Sequence, residues 1–127
     1  MRIIVVDDSP TMRDITASTL RSEGFDVLTA EHGEHALKVL EAETVDLVVS
    51  DLNMYQMGGF EFVVRLRENP DFEFTPVIFL TTENSDDFKE MGREVGASAW
   101  MVKPFEPAAL VKLIRRLTHT DVAQSIA

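Results

Sequence analysis

Three aspartates, two threonines and a lysine stand where short apolar runs end. Asp7 and Asp8 follow "IIVV", Asp51 follows "VDLVVS", Thr81 and Thr82 follow "PVIFL", and Lys103 follows "AWMV". Adjacent carboxylates at the end of a buried strand repel each other and are hard to desolvate, so something must compensate them. If the fold gathers all three acids, they cannot all stay ionised unaided, and one pKa rises. A hard divalent cation resolves that conflict, because Mg²⁺ takes a few carboxylate oxygens, waters and a phosphate oxygen. With the acids neutralised, Lys103 supplies positive charge to a phosphoryl group and Thr81 a hydroxyl donor. A carboxylate that gives one oxygen to metal can attack phosphorus with the other and form an acyl phosphate. Such catalysis is mostly positioning and charge neutralisation, which makes Lys103 and Thr81 stabilisers rather than general acids or bases.

The rest of the chain has the pattern needed to gather these groups. "RIIVV", "DVLTA", "VDLVVS", "PVIFLT" and "AWMVK" are short, rich in Val, Ile, Leu or aromatics, and bounded by turn residues, as strands are. Helices fit between them. Ser9 and Pro10 form an N-cap and first-turn proline, and Gly24 is a C′ stop. A second helix is expected over Glu34–Glu43 and a third from Gly59 towards Asn69, before Pro70. Ser85 caps a fourth that ends at Gly96; its Phe88, Met91 and Val95 share a face and are expected in the core. Leu110, Leu113, Ile114 and Leu117 give the fifth an apolar stripe. Alternating strands and helices predict an α/β fold, a doubly wound (βα)5 parallel sheet covered on both faces. Right-handed crossovers then bring every strand C-terminus to one edge, where ligands bind.

Composition narrows the function classes. The 127 residues are 45% hydrophobic, enough for one core, with a formal charge of −10. That balance disfavours nucleic acid and anionic membranes and suits bound cations or basic partners. Without cysteine there are no disulfides or thiolate sites. No apolar run approaches the ~20 residues that span a bilayer, so a cytoplasmic protein is expected. One domain is expected over residues 1–118, with 119–127 a tail that either extends the last helix or frays.

"VVDDSPTMR", "VVSDLNM", "FLTT" and "GASAWMVKPF" together resemble the response-regulator receiver family, most closely its stand-alone chemotaxis members of the CheY type. The likeness runs from Arg2 to Leu117. It implies the flavodoxin-like strand order 2-1-3-4-5, which is known for that family. It further implies that Asp51 is the phosphorylated aspartate and that Mg²⁺ is the cofactor. Asp8 and Asp51 would ligate it directly, Asp7 largely through water, and Asn53 through its backbone carbonyl. Lys103 would pair with the phosphoryl group, and the Lys103–Pro104 bond would be cis. Thr81 would move toward the phosphate, with the rotamer of Trp100 tracking that movement. Asn53 and Glu83 resemble positions flanking the attacking water, where they would modulate phosphoryl lifetime. The output face would be the fourth helix, fifth strand and fifth helix, including Trp100, Lys112, Arg115 and Arg116. Two positions depart from the family pattern: Tyr55 replaces a common proline, and Gly58–Gly59 an Asp–Gly pair, which should loosen the loop after the third strand.

Each residue also has a plainer reading. Asp7 and Asp8 could decorate a helix N-terminus, and Lys112, Arg115 and Arg116 a helix C-terminus. Thr81 suits a strand by propensity alone, and Trp100 could simply cover apolar surface. None of His32, His35 and His119 is expected in the site, which argues against a histidine phosphocarrier. The favoured function is a phosphorylation switch, not a turnover enzyme, charged by a histidine kinase of chemotaxis type and read by a protein target, foremost the flagellar motor switch. A phosphate sink or regulator of another enzyme is the alternative. An aspartyl-nucleophile phosphatase is disfavoured because Asn53, two residues beyond Asp51, cannot shuttle a proton. With no DNA-binding segment after the fifth helix, output is expected through protein contact.

Overall fold

The computed structural model describes residues 1–118; the tail 119–127, His119 included, lies outside the described residues. Five strands, β1 (Arg2–Val6), β2 (Asp26–Ala30), β3 (Leu47–Ser50), β4 (Val77–Thr81) and β5 (Ala99–Val102), form one parallel sheet in the order β2-β1-β3-β4-β5. The helices are α1 (Pro10–Ser22), α2 (Gly33–Val39), α3 (Gly59–Glu68), α4 (Asp86–Val95) and α5 (Pro107–Leu117). The expected fold and strand order are those observed.

Strand alternation splits the core in two. Ile3, Val5, Leu47, Val49, Ile78 and Leu80 pack with Ala17 and Leu20 of α1 and Leu110 and Ile114 of α5. The other face, with Ile4, Val6, Val48 and Phe79, packs against Ala36 of α2 and Phe62, Val63 and Leu66 of α3. Both faces are buried, which is why β1, β3 and β4 read as unbroken apolar runs.

Local chemistry sets the helix ends. Ser9 and Ser85 cap α1 and α4 by accepting the N–H of Met12 and Phe88, and Gly24 and Gly96 stop the same helices at positive φ. Gly58 begins α3 without a side-chain cap. The second helix is displaced and shorter than expected. It opens at His32, whose Nδ1 accepts the His35 N–H, and it ends at Val39, where Glu41 and Ala42 donate to carbonyls only three residues back. That tightening closes the helix before Glu43. Asn69 caps a 3-10 turn over Pro70–Phe72, which the sequence pattern did not suggest. Phe88 and Met91 are also not core: they are 37% and 46% exposed, because the α4 stripe rests mainly on Gly92 and Val95.

Arg67 ties α3 to its surroundings. Its guanidinium donates to the carbonyls of Phe72, Thr75 and Gly96 at 2.7, 2.5 and 2.7 Å. Burial alone lowers its pKa. No described helix is long and apolar enough to cross a membrane.

Candidate functional site

Parallel pairing delivers the chemistry to one edge. Asp7 and Asp8 leave β1, Asp51 leaves β3, Thr81 closes β4 and Lys103 follows β5. One carboxylate oxygen from each of Asp7, Asp8 and Asp51 lies within 4.8 Å of the other two. Lys103 Nζ donates to Asp7 Oδ2 at 2.8 Å and to Asp51 Oδ2 at 3.2 Å. Asp7 is buried, Asp51 half-buried and Asp8 exposed, so the group is open on one side.

Backbone N–H groups orient the acids. Ser9 donates to Asp7 Oδ1 at 2.9 Å, Leu52 to Asp51 Oδ1 at 2.7 Å, and Tyr55 to Asp8 Oδ2 at 3.2 Å. The Ser50 hydroxyl donates to the Asp51 carbonyl, and Arg13 Nη1 to the Asp7 carbonyl. Burial raises the Asp51 pKa; the Lys103 charge and the Leu52 N–H pull it down, the Asp7 charge pushes it up, and the net direction is upward. For Lys103, burial lowers the pKa, but the Asp7 hydrogen bond and the two aspartate charges outweigh it and raise the net value.

The donor set fits a hard cation: three clustered carboxylates, an exposed side for water, and no soft ligand. The anionic crowding, however, is already relieved in part by Lys103, a partner that the strand pattern had assigned only to a phosphoryl group. Counting charge at the strand ends would have found it.

The loop after β3 is tighter than its glycines suggest. Tyr55, standing where the related pattern has proline, offers an N–H that proline lacks, and Asp8 takes it. Met57 donates to the Tyr55 carbonyl at 2.7 Å around Gln56, whose φ is 64°, making a three-residue γ-turn. A Cβ on Gly59 would lie 2.7 Å from the Asp51 carbonyl oxygen and 2.8 Å from the Phe79 ring, so no side chain fits there. Asn53 is exposed in this loop.

Thr81 is buried, and its Oγ1 accepts the Glu83 N–H at 3.3 Å. The Glu83 carbonyl accepts the Trp100 Nε1–H at 2.9 Å. Glu83 therefore touches both residues, through the N–H of one of its peptides and the carbonyl of the other. Trp100 also packs on Phe79, with centroids 5.6 Å apart. A groove of about 130 Å³ beside it is lined by Lys89, Gly92, Arg93 and Ser98. Lys112 and Arg116 flank a separate hollow beside Met101. Arg115 ion-pairs with Glu23 at 3.6 Å beside the Phe25 ring and lines another hollow together with Lys112. The Lys103–Pro104 bond is cis. His32 and His35 lie at the start of α2 and are not part of the acid cluster.

Comparison with known proteins agrees with this fold. Residues 3–115 match the family described as the response regulator receiver domain. The chemotaxis protein CheY homolog of Campylobacter jejuni is 36% identical over 129 residues, covering 100% of this chain and 99% of that one. CheY1 of Helicobacter pylori is 38% identical over 95% of this chain and 99% of its own. Among solved structures, Vibrio cholerae chemotaxis protein CheY4 superimposes with a TM-score of 0.89 at 41% identity, over 91% of this chain and 97% of that chain.

Proposed function

This chain belongs to the response-regulator receiver family, a signalling switch of the CheY type, and we propose that residues 1–118 form the receiver unit, with Asp51 its phosphoacceptor. The supporting observation is the convergence of three carboxylates and Lys103 at the sheet edge. An Asp51 carboxylate oxygen attacks the phosphorus of a histidine kinase's phosphohistidine. A P–O bond forms, the P–N bond breaks, and the imidazole nitrogen leaves with the electron pair and takes a proton. Asp51 Oδ1 is held by Leu52, and Oδ2 faces Lys103. Lys103 then transfers its donation from Asp51 to a phosphoryl oxygen while keeping Asp7. Asp8, Asp51 and the Asn53 carbonyl, with Asp7 largely through water, would hold Mg²⁺, which when bound would supply positive charge to offset the phosphoryl oxygens.

Thr81 gives up the Glu83 N–H as its hydroxyl turns to the phosphoryl group, and Glu83 passes the change to Trp100. Asn53 and Glu83 set the lifetime by flanking the water that attacks phosphorus and breaks the P–O bond to Asp51. The two-state change is read on α4, β5 and α5. Relatives named as chemotaxis proteins make the flagellar motor switch the first target to test and a chemotaxis-type kinase the first donor, both in the cytoplasm.

Incubation with acetyl phosphate and Mg²⁺, followed by intact mass, tests the core of this reading. A phosphate adduct absent from Asp51→Asn is expected, and its persistence in that variant overturns the assignment. Adduct-dependent capture of motor-switch protein supports motor output; adduct formation without capture favours a phosphate sink or another target.

A further inference from the structure

Thr81 is not the only physical link between the acceptor loop and Trp100. Gly59 touches the Asp51 carbonyl, Leu52 and the Phe79 ring so closely that a Cβ there would meet all three within 3 Å. The next residue, Phe60, lies in the first turn of α3 and carries its ring into an aromatic group. It stands edge-on to Phe79 at 5.6 Å and 87°, tilted to Trp100 at 6.5 Å, and stacked on Phe88 at 6.3 Å. These rings come from α3, β4, β5 and α4. Any displacement of the Asp51–Leu52 peptide must move Gly59, and Gly59 cannot move without carrying Phe60.

The seat of Trp100 is closed on its other side by Gly92. A Cβ there would lie 3.0 Å from Trp100 Cζ3 and 3.2 Å from Cε3, so the indole occupies the space a methyl group would need. Size is thus matched across the pair. The largest side chain sits opposite the smallest residue, and the hydrogen bond to Glu83 fixes the ring's other end.

We propose that Phe60 is a positioning residue coupling the acceptor loop to Trp100 in parallel with Thr81, and that Gly92 holds the seat in which Trp100 senses both. This rests on Asp51 being the phosphoacceptor. Close-packed rings pass on small shifts because they have no slack to absorb them. The Phe60 route needs no hydroxyl movement, so it survives when the Thr81 route is cut.

Trp100 is the chain's single tryptophan, so its emission reports this seat alone. The experiment measures the change in emission on adding acetyl phosphate and Mg²⁺ to the wild type, Phe60→Leu, Thr81→Ala and the double variant, with adduct yield read by intact mass. Phe60→Leu is expected to shrink the response about two-fold or more at equal adduct yield. Phe60→Tyr, which keeps the ring, retains it. Thr81→Ala keeps a partial response, and the double variant falls below either single. An undiminished response in Phe60→Leu, or none in Thr81→Ala, overturns the parallel route while leaving the acceptor assignment intact. A wild-type chain that takes up no phosphate overturns both. Gly92→Ala supplies an independent check that favours helix formation: it is expected to red-shift emission and increase iodide quenching before phosphorylation, and unchanged values overturn the seat.

Discussion

Two charge clusters sit at opposite edges of the sheet, and each sets one cation among three carboxylates. At the strand N-termini, Arg2 pairs with Asp26 at 2.9 Å and Glu43 at 2.7 Å, while its backbone N–H reaches Asp46 at 2.8 Å. At the C-termini, Lys103 pairs with Asp7 and Asp51, with Asp8 alongside. The inventories match; the solvent does not. The Arg2, Asp26 and Glu43 side chains are 37%, 63% and 47% exposed, against 10%, 5% and 13% for Lys103, Asp7 and Asp51. Water screens the first cluster, so it fastens β1 to its neighbours and does little else. Exclusion of water from the second leaves its charges dependent on one another, and that dependence makes a carboxylate responsive to a cation or a phosphoryl group.

The contrast can be tested from its largest consequence to its smallest. Asp51→Asn abolishes the acetyl-phosphate adduct in intact mass, whereas Asp26→Asn at the opposite edge leaves the yield unchanged. Lys103→Met leaves Asp7 and Asp51 facing each other without a cation. Urea denaturation in EDTA is expected to show a loss of about 3 kcal/mol, as when one partner is taken from a buried pair. Excess Mg²⁺ restores part of it if the acids share a metal.

The pH dependence follows from the direction of the Asp51 shift. A raised carboxyl means the folded chain holds that proton more tightly than the unfolded chain. Its contribution to stability is complete below the ordinary aspartate range and is lost as pH rises through the raised folded value. In EDTA the wild-type urea midpoint therefore declines across that window, and the Asp51→Asn midpoint declines less. Lys103, also raised, adds a loss only in the alkaline range, as pH passes its own folded value. The smallest effect belongs to the exposed cluster. Arg2→Ala shifts the urea midpoint slightly, and added salt narrows its difference from wild type.

Much of this was legible in the chain because the signals were local. Apolar runs ending in acids gave the strands and the functional edge; Ser9, Ser85, Gly24 and Gly96 gave helix ends through their own backbone chemistry. What escaped depends on partners distant in sequence. Phe88 and Met91 have core spacing, but Gly92 brings Trp100 into the seat and leaves them partly in solvent. Arg115 of α5 pairs with Glu23 at the end of α1, a partner that no local pattern names. Two glycines in the loop after β3 suggested looseness; the tertiary contacts of Gly59 and the Tyr55 N–H to Asp8 produce close fit instead. Asp7's bond to Lys103 spans 96 positions, beyond any periodicity.

The clasp made by Arg67 has a mechanical corollary. By gripping the Gly96 carbonyl together with those of Phe72 and Thr75, it anchors the trailing end of α4 to the frame. The leading end, at Ser85, borders the Glu83 peptide. Held at Gly96, the helix would pivot there, so travel near Glu83 would carry the exposed side chains of Phe88 and Met91 further than anything near the pivot.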